Sequence, residues 1–203
     1  MNERGLAALV LAGDLLGVPY GYDSIEEAQR ADCQVVAQIL RRANIPTFYI
    51  MGNDDWVELD SPGLEVQSIH GRRVELGSFN LVGYQFSLPF MGGVFEQPEE
   101  EIAADLASLQ ALMNSDTVFV THSPAYGILD LGILDRHAGS QSILNAVCGR
   151  GVRTHIHGHI HRCFGCHEHH FNVAADGIKR AMIIDLETLR HEIVLGEPEG
   201  DGK

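Results

Sequence analysis

Residues 153–161 read Arg-Thr-His-Ile-His-Gly-His-Ile-His. Residues 153–157 have the character of a strand, and that strand runs directly into the turn Gly158-His159-Ile160-His161. His159 and His161 are two apart, so on an extended segment they share one face. Three earlier stretches repeat the arrangement. The apolar run 6–12 ends in Gly13-Asp14, the run 47–51 ends in Gly52-Asn53-Asp54-Asp55, and the run 117–120 enters Thr121-His122-Ser123-Pro124. In open α/β sheets, sites assemble outside the carboxyl ends of the strands, so these four turns are expected to converge in an α/β fold.

The segments between them alternate accordingly. Ser24-Ile25-Glu26-Glu27 has the spacing of a capping box. Ile25, Ala28, Val35, Val36, Ile39 and Leu40 then make one apolar helical face, expected to end near Asn44, just before Pro46. Residues 66–69, 72–76 and 79–84 read as a short meander turning at Gly71 and Gly77, and 88–95 as a loop. Pro98 at a first helical position, three glutamates at 99–101, and Ile102, Leu106, Leu109 and Met113 predict a second helix. A short helix over 140–148 should stop at Gly149. Closing strands are expected at 173–175, 181–186 and 192–195. Residues 1–195 read as a single domain and 196–203 as a polar tail.

Composition narrows the function. The 203 residues carry 14 basic and 28 acidic side chains, a formal charge of −14, which argues against a surface that grips a nucleic-acid backbone. An acidic chain reaches phosphate only through cations or backbone amides. Of 11 histidines, seven lie between His155 and His170. Four cysteines without framework spacing point to a reducing, cytoplasmic setting. The run 6–12 is too short to span a bilayer, and Glu3 offsets Arg4 ahead of it, so neither a membrane span nor an export signal is expected.

Asp14, Asn53, His122, His159 and His161 form a hard-to-borderline ligand set suited to Mn, Fe, Zn or a similar divalent ion. An Asn among them suits an open catalytic site better than a closed structural zinc site. Taken singly, Asp14 and Asn53 are also ordinary turn residues and His122 an ordinary loop histidine; their order along the chain is what favours ligands. With Gly13-Asp14, Gly52-Asn53, His122 and Gly158-His159-Ile160-His161 in that order, the sequence resembles the calcineurin-like metallophosphoesterases. Residues 121–130 and His137-Ala138-Gly139-Ser140 resemble a small phosphodiesterase-like subgroup of that family.

The resemblance covers nearly the whole chain and implies an αββα four-layer sandwich. It implies one metal held by an upstream Asp-x-His together with a bridging Asp14 and His161, and another held by Asp14, Asn53, His122 and His159. The activity it implies is hydrolysis of a phosphodiester, less readily a phosphomonoester, through a metal-bridging hydroxide, with Asn53 and His122 near the phosphate oxygens. The implied partner is a small phosphate-ester substrate. Two departures qualify this. No Asp-x-His precedes Asp14, so a first strand and two ligands are expected to be missing, with two metals if the motif is restored and one in this chain. Asp54 stands where many members carry the histidine that protonates the leaving group. A carboxylate beside two cations titrates low and is a poor acid at neutral pH, which favours diesters with good leaving groups. The alternative, from another class, is an inactive or single-metal scaffold of the same fold that binds a protein, the reading given to the retromer subunit.

The remaining histidines read more plainly. His155 and His157 are expected as strand residues, and His167, His169 and His170 as a solvated loop. Cys163-Phe164-Gly165-Cys166-His167 matches haem-attachment spacing by accident, because nothing else in the chain supports haem.

Overall fold

The computed structural model describes residues 4–59, 63–175, 177 and 179–196. It is a mixed α/β structure. β1 (Leu9–Ala12) leads through α1 (Ile25–Ala43) to β2 (Thr47–Ile50) and then β3 (Val66–Ser68), which together form a three-stranded parallel sheet in the order β1-β2-β3. A six-stranded sheet contains β4 (Arg73–Leu76), β5 (Phe79–Tyr84), β6 (Thr117–Thr121), β7 (Thr154–His157), β8 (Gly165–His167) and β9 (His170–Asn172), ordered β4-β5-β6-β7-β9-β8. Its inner four strands are parallel, and β4 and β8 flank them antiparallel. α2 (Glu99–Leu109) and α3 (Gln141–Arg150) join strands of this sheet, and β10 (Arg180–Ile184) pairs with β11 (His191–Leu195) as a hairpin.

Three apolar clusters hold these parts together. One packs β5 and β6 against α2 and α3 through Val82, Tyr84, Phe119, Ile102, Leu106, Ile143 and Val147. A second joins Ala12, Phe48 and Ile50 of the smaller sheet to Leu81, Val118, Val120, Ile156 and Phe171 of the larger. The third sets Cys33 of α1 with Tyr49 and Met51. β6 is therefore covered on both faces, as a continuous apolar parallel strand requires, while the equally buried β7 places His155 and His157 either side of Ile156.

Several expectations need correction. β1 is shorter than 6–12 and only Ala12 is buried, because β1 is an edge strand paired on one side. Residues 66–84 are not a meander. β3 joins β2, and the chain crosses between sheets at Ile69, whose amide bonds Tyr49 while its carbonyl accepts from Gly83. Only β4 and β5 are a hairpin, and local alternation does not encode which neighbour a strand chooses. α1 is capped by Ser24 and stopped by Asn44 in the left-handed region as expected, but Ile25, Val35 and Ile39 are exposed. Its buried side is Ala28, Gln29, Cys33 and Ala37, small residues that let the helix lie close while Gln29 serves the turns above. Pro98 caps α2 rather than starting it, and α3 ends at left-handed Gly151, two residues beyond Gly149. Residues 173–175 are not a strand; β8 and β9 stand ahead of them instead. The expected tail lies, beyond Gly196, outside the described residues.

Among the described residues, no helix is long and apolar enough to cross a membrane. Among the described residues, Cys33, Cys148, Cys163 and Cys166 form no disulfide.

Candidate metal centre

The turns after β1, β2, β6 and β7 do converge, and His122 is at their centre. It is fully buried. Its Nδ1 lies 2.9 Å from the Ala12 carbonyl, which can only accept, so Nδ1 carries a proton and Nε2 is the nitrogen open to a second proton or to a cation. Nε2 points at two more acceptors, Asn53 Oδ1 at 2.9 Å and Asp14 Oδ2 at 3.3 Å. The His159 ring stands edge-on to His122 with centroids 5.0 Å apart. Ligand atoms of Asp14, His122 and His159 all lie within 4.8 Å of one another.

Glycines make this approach possible. A Cβ on Gly13 would come within 2.4 Å of His122 Nδ1, and one on Gly52 within 2.5 Å of His122 Cε1 and 2.3 Å of Asp14 Oδ1. A Cβ on Gly158 would come within 3.0 Å of the Ala12 carbonyl that anchors the ring, and would stand in ordinary contact with His122 Nδ1 at 3.7 Å. Three turns from three strands thus close around one imidazole and its Ala12 anchor, the physical reason Asp14, Asn53 and His159 each follow a glycine. Asp14 (φ 52°) and His159 (φ 66°) are themselves in the left-handed region, which L side chains seldom occupy. Strain at two candidate ligands is what a pre-arranged site stores.

Polar groups set the remaining orientations. Asp14 Oδ1 accepts from the Asp54 amide at 2.9 Å, and Asn53 Nδ2 donates to Asp54 Oδ1 at 3.0 Å, which turns Asn53 Oδ1 toward His122. Burial pushes the Asp14 carboxyl up, but His122 beside it outweighs this and holds it below the ordinary range. Burial likewise opposes charge on His122, and Asp14 wins, raising it. Burial, then the field of His122, lowers His159 to about 4. Asp54 is exposed yet raised by desolvation and by Asp14; the lowering expected of it requires the cations.

His161 departs from expectation. It is exposed in a single 3-10 turn, His161–Cys163, and lies outside the 4.8 Å cluster, although its field reaches Asp54 and His159. Two supporting residues were not singled out from the sequence. The buried Asp55 carboxylate accepts from the amides of Leu15, Leu16 and Gly52 at 2.8–2.9 Å, tying the turn after β1 to the turn after β2. Gln29 of α1 donates to the carbonyls of Leu16 and Asp54 and accepts from Trp56 N. The available signal was polar: a glutamine inside the apolar stripe of α1, and a second aspartate directly after Asn53-Asp54. In the subgroup motif, Asp130 bonds His137 Nδ1 at 2.8 Å and also accepts from Gly127 and Gly139, while Ser140 caps α3.

Behind the centre lies a layer of buried histidines. His155 bonds Thr121 Oγ1 through Nε2 and His170 through Nδ1, and stacks on His157 at 5.2 Å. His170 is thus buried in β9 rather than in a solvated loop. His157 keeps Nε2 without a partner among the described residues. Burial pushes His155 well below its ordinary value, His157 to about 3 and His170 to about 4. Imidazoles that titrate near 6.5 when unfolded hold stability above that pH and lose it as pH falls toward their folded values. His170 alone accounts for roughly 3 kcal/mol over that window. Asp55, raised to about 6 mainly by burial, and His122, raised by Asp14, act with the opposite sign, but His159, lowered to about 4, adds to the three buried imidazoles. The urea midpoint of chelator-treated protein is therefore expected to fall between about pH 7.5 and about pH 5, and His170→Gln to flatten that fall. A midpoint that holds or rises on acidification would contradict the assignment.

No family model matches the chain, and no curated protein matches it in sequence. Solved structures do resemble it. One crystal structure superposes with a TM-score of 0.72 at 16% identity, covering 95% of this chain and 89% of that one. The crystal structure of TT1561 of Thermus thermophilus superposes with a TM-score of 0.66 at 16% identity, covering 95% and 87%. At that identity the likeness is one of fold: this chain shares the mixed α/β architecture of both.

Proposed function

We propose that this chain is a metal-dependent phosphoesterase acting on phosphodiesters in preference to phosphomonoesters. One observation carries the reading. Asp14 Oδ2 and Asn53 Oδ1 are two acceptor atoms that both converge on His122 Nε2 in a glycine-closed space beside His159. Acceptors so placed repel unless a proton or a cation lies between them, and a mixed Asp, Asn and His set suits a divalent ion such as Mn, Fe or Zn. When bound, such an ion supplies Lewis acidity and local positive charge that lets a −14 chain accept a phosphate ester.

The chain's own residues then have distinct tasks. Asp14, His122, Asn53 and His159 would hold the ion. The Ala12 carbonyl fixes the His122 tautomer, and the Asp54 carboxylate orients the Asn53 amide, the outer bonds that keep ligands pointed inward. Asp54 also stands where a proton donor would be needed, and a carboxyl there serves good leaving groups best, which favours diesters. The three apolar clusters, one outside each sheet and one between the sheets, support reading the fold as the αββα sandwich. Four cysteines without a disulfide among the described residues fit a cytoplasmic setting.

The competing reading, a single-metal scaffold that binds a protein, draws on His161, which lies outside the ligand cluster gathered among the described residues. Metal-depleted protein given Mn²⁺ separates the two. The expected result is Mn-dependent cleavage of bis(p-nitrophenyl) phosphate at a higher kcat/KM than of p-nitrophenyl phosphate. Full Mn²⁺ occupancy by elemental analysis with no turnover of either ester would leave the scaffold reading.

A further inference from the structure

The loop 88–95 carries an aromatic ring to the rim of the metal centre. Phe90 meets His159 edge to face, with centroids 6.4 Å apart and planes at 89°, yet its side chain is 61% exposed. The exposure does not come from a loose loop. The Glu96 carboxylate accepts from the amides of Phe90, Met91 and Gly92, each at 2.9 Å. The base is closed by Ser87 N to the Phe95 carbonyl and Gln97 N to the Ser87 carbonyl. Gly93 lies so close to the Asn53 carbonyl that a Cβ there would approach within 2.3 Å. Phe95 is buried against Phe86 while Phe90, Met91 and Val94 face out, so the loop buries one aromatic residue and presents another.

Scattered exposed apolar residues are ordinary on protein surfaces. A ring on a loop clamped by three amide hydrogen bonds to Glu96, packed through Gly93 against the turn that carries one candidate ligand, and in contact with a second candidate ligand, is a prepared surface. On an acidic chain, phosphate recognition falls to the centre itself, and a flat apolar face beside it is fitted to whatever the phosphate carries.

We infer that Phe90 is a specificity-determining residue that packs against a planar aromatic or heteroaromatic substituent of the phosphate ester bound at Asp14, Asn53, His122 and His159. The inference rests on the phosphoesterase reading above. Stacking of a flat ring on one aromatic side chain contributes an affinity factor of about five- to tenfold.

Binding of non-hydrolysable probes tests this without turnover. Mn²⁺-loaded protein is titrated with phenylphosphonate and with methylphosphonate, followed by ³¹P NMR, for the natural chain, Phe90→Ala and Phe90→Trp. The natural chain is expected to prefer phenylphosphonate, Phe90→Ala to lose about five- to tenfold for that ligand and little for methylphosphonate, and Phe90→Trp to keep the preference. Equal affinities in the natural chain, or a Phe90→Ala loss common to both ligands, overturn the inference and leave the phosphoesterase reading standing. If neither phosphonate binds, the phosphoesterase reading fails and the inference falls with it.

Discussion

Asp14→Asn is expected to remove most of the stabilisation that Mn²⁺ confers on the fold while leaving the metal-free protein nearly intact. Asn keeps the shape and tolerates the left-handed conformation that position 14 requires, so the turn is not strained further. What is lost is the negative charge that would hold the cation and that raises His122. Without its counter-charge the buried imidazole sheds its proton rather than remain ionised, and the metal-free protein should lose only about 1 kcal/mol. The cation is affected far more, because an amide oxygen replaces an ionised carboxylate in a buried site. At a Mn²⁺ concentration of about 100 Kd, the natural chain gains about 2.7 kcal/mol by mass action. An affinity about 100-fold weaker leaves a gain of about 0.4 kcal/mol at the same concentration. The measurement is the shift of the urea midpoint on adding Mn²⁺, which is expected to be large in the natural chain and nearly absent in Asp14→Asn. His161→Gln, lying outside the ligand cluster, should retain most of the shift. Equal shifts in the natural chain and Asp14→Asn would remove Asp14 from the site.

The strand-turn core of this candidate centre was legible because each candidate ligand is local to the turn after its strand, led by glycine for Asp14, Asn53 and His159. Asp14, Asn53, His122 and His159 could be found without knowing how the strands pair, since any parallel arrangement brings their carboxyl ends to one side. What depended on long-range choice was not legible. The transfer of the chain from β3 to β4 between two sheets leaves no trace in the alternation of residues 66–84. Which stripe of α1 is inward was set by Gln29, whose bonds reach Leu16, Asp54 and Trp56, and not by the larger Val35 and Ile39. His155 and His170 became a buried layer only because β9 pairs with β7, bringing residues 15 apart to 3.1 Å. His161 shares a local motif with His159, but the left-handed turn at His159 and the 3-10 turn after Ile160 break the extended geometry that would have kept the two on one face.

Gly52→Ala is expected to damage fold and centre together, and the size of the effect follows from where the new methyl group would lie. It would meet Asp14 Oδ1 at 2.3 Å, the Asp14 amide nitrogen at 2.5 Å and His122 Cε1 at 2.5 Å. None of the three can yield independently. The Asp14 amide is backbone, Asp14 Oδ1 is bonded to the Asp54 amide, and the His122 ring is fixed by the Ala12 carbonyl. Gly52 N is itself bonded to the Asp55 carboxylate, so the turn cannot back away without breaking the link that also holds Leu15 and Leu16. Overpacking in a closed space costs about 1–3 kcal/mol, and a methyl group facing backbone on one side and an immobile ring on the other should stand at the upper end. Asp14 and His122 must also part, so Mn²⁺ affinity should fall about 100-fold, as it does when outer bonds that orient ligands are lost. Gly149→Ala provides the comparison: its added methyl group meets nothing within 4 Å, it lies in α3, and it should gain roughly 0.5 kcal/mol from helix propensity alone. Urea midpoints and Mn²⁺ titrations of the two variants should therefore move apart, with Gly52→Ala losing on both measures. A Gly52→Ala protein as stable as the natural chain, with undiminished Mn²⁺ affinity, would mean that the turns after β1 and β2 do not close on His122.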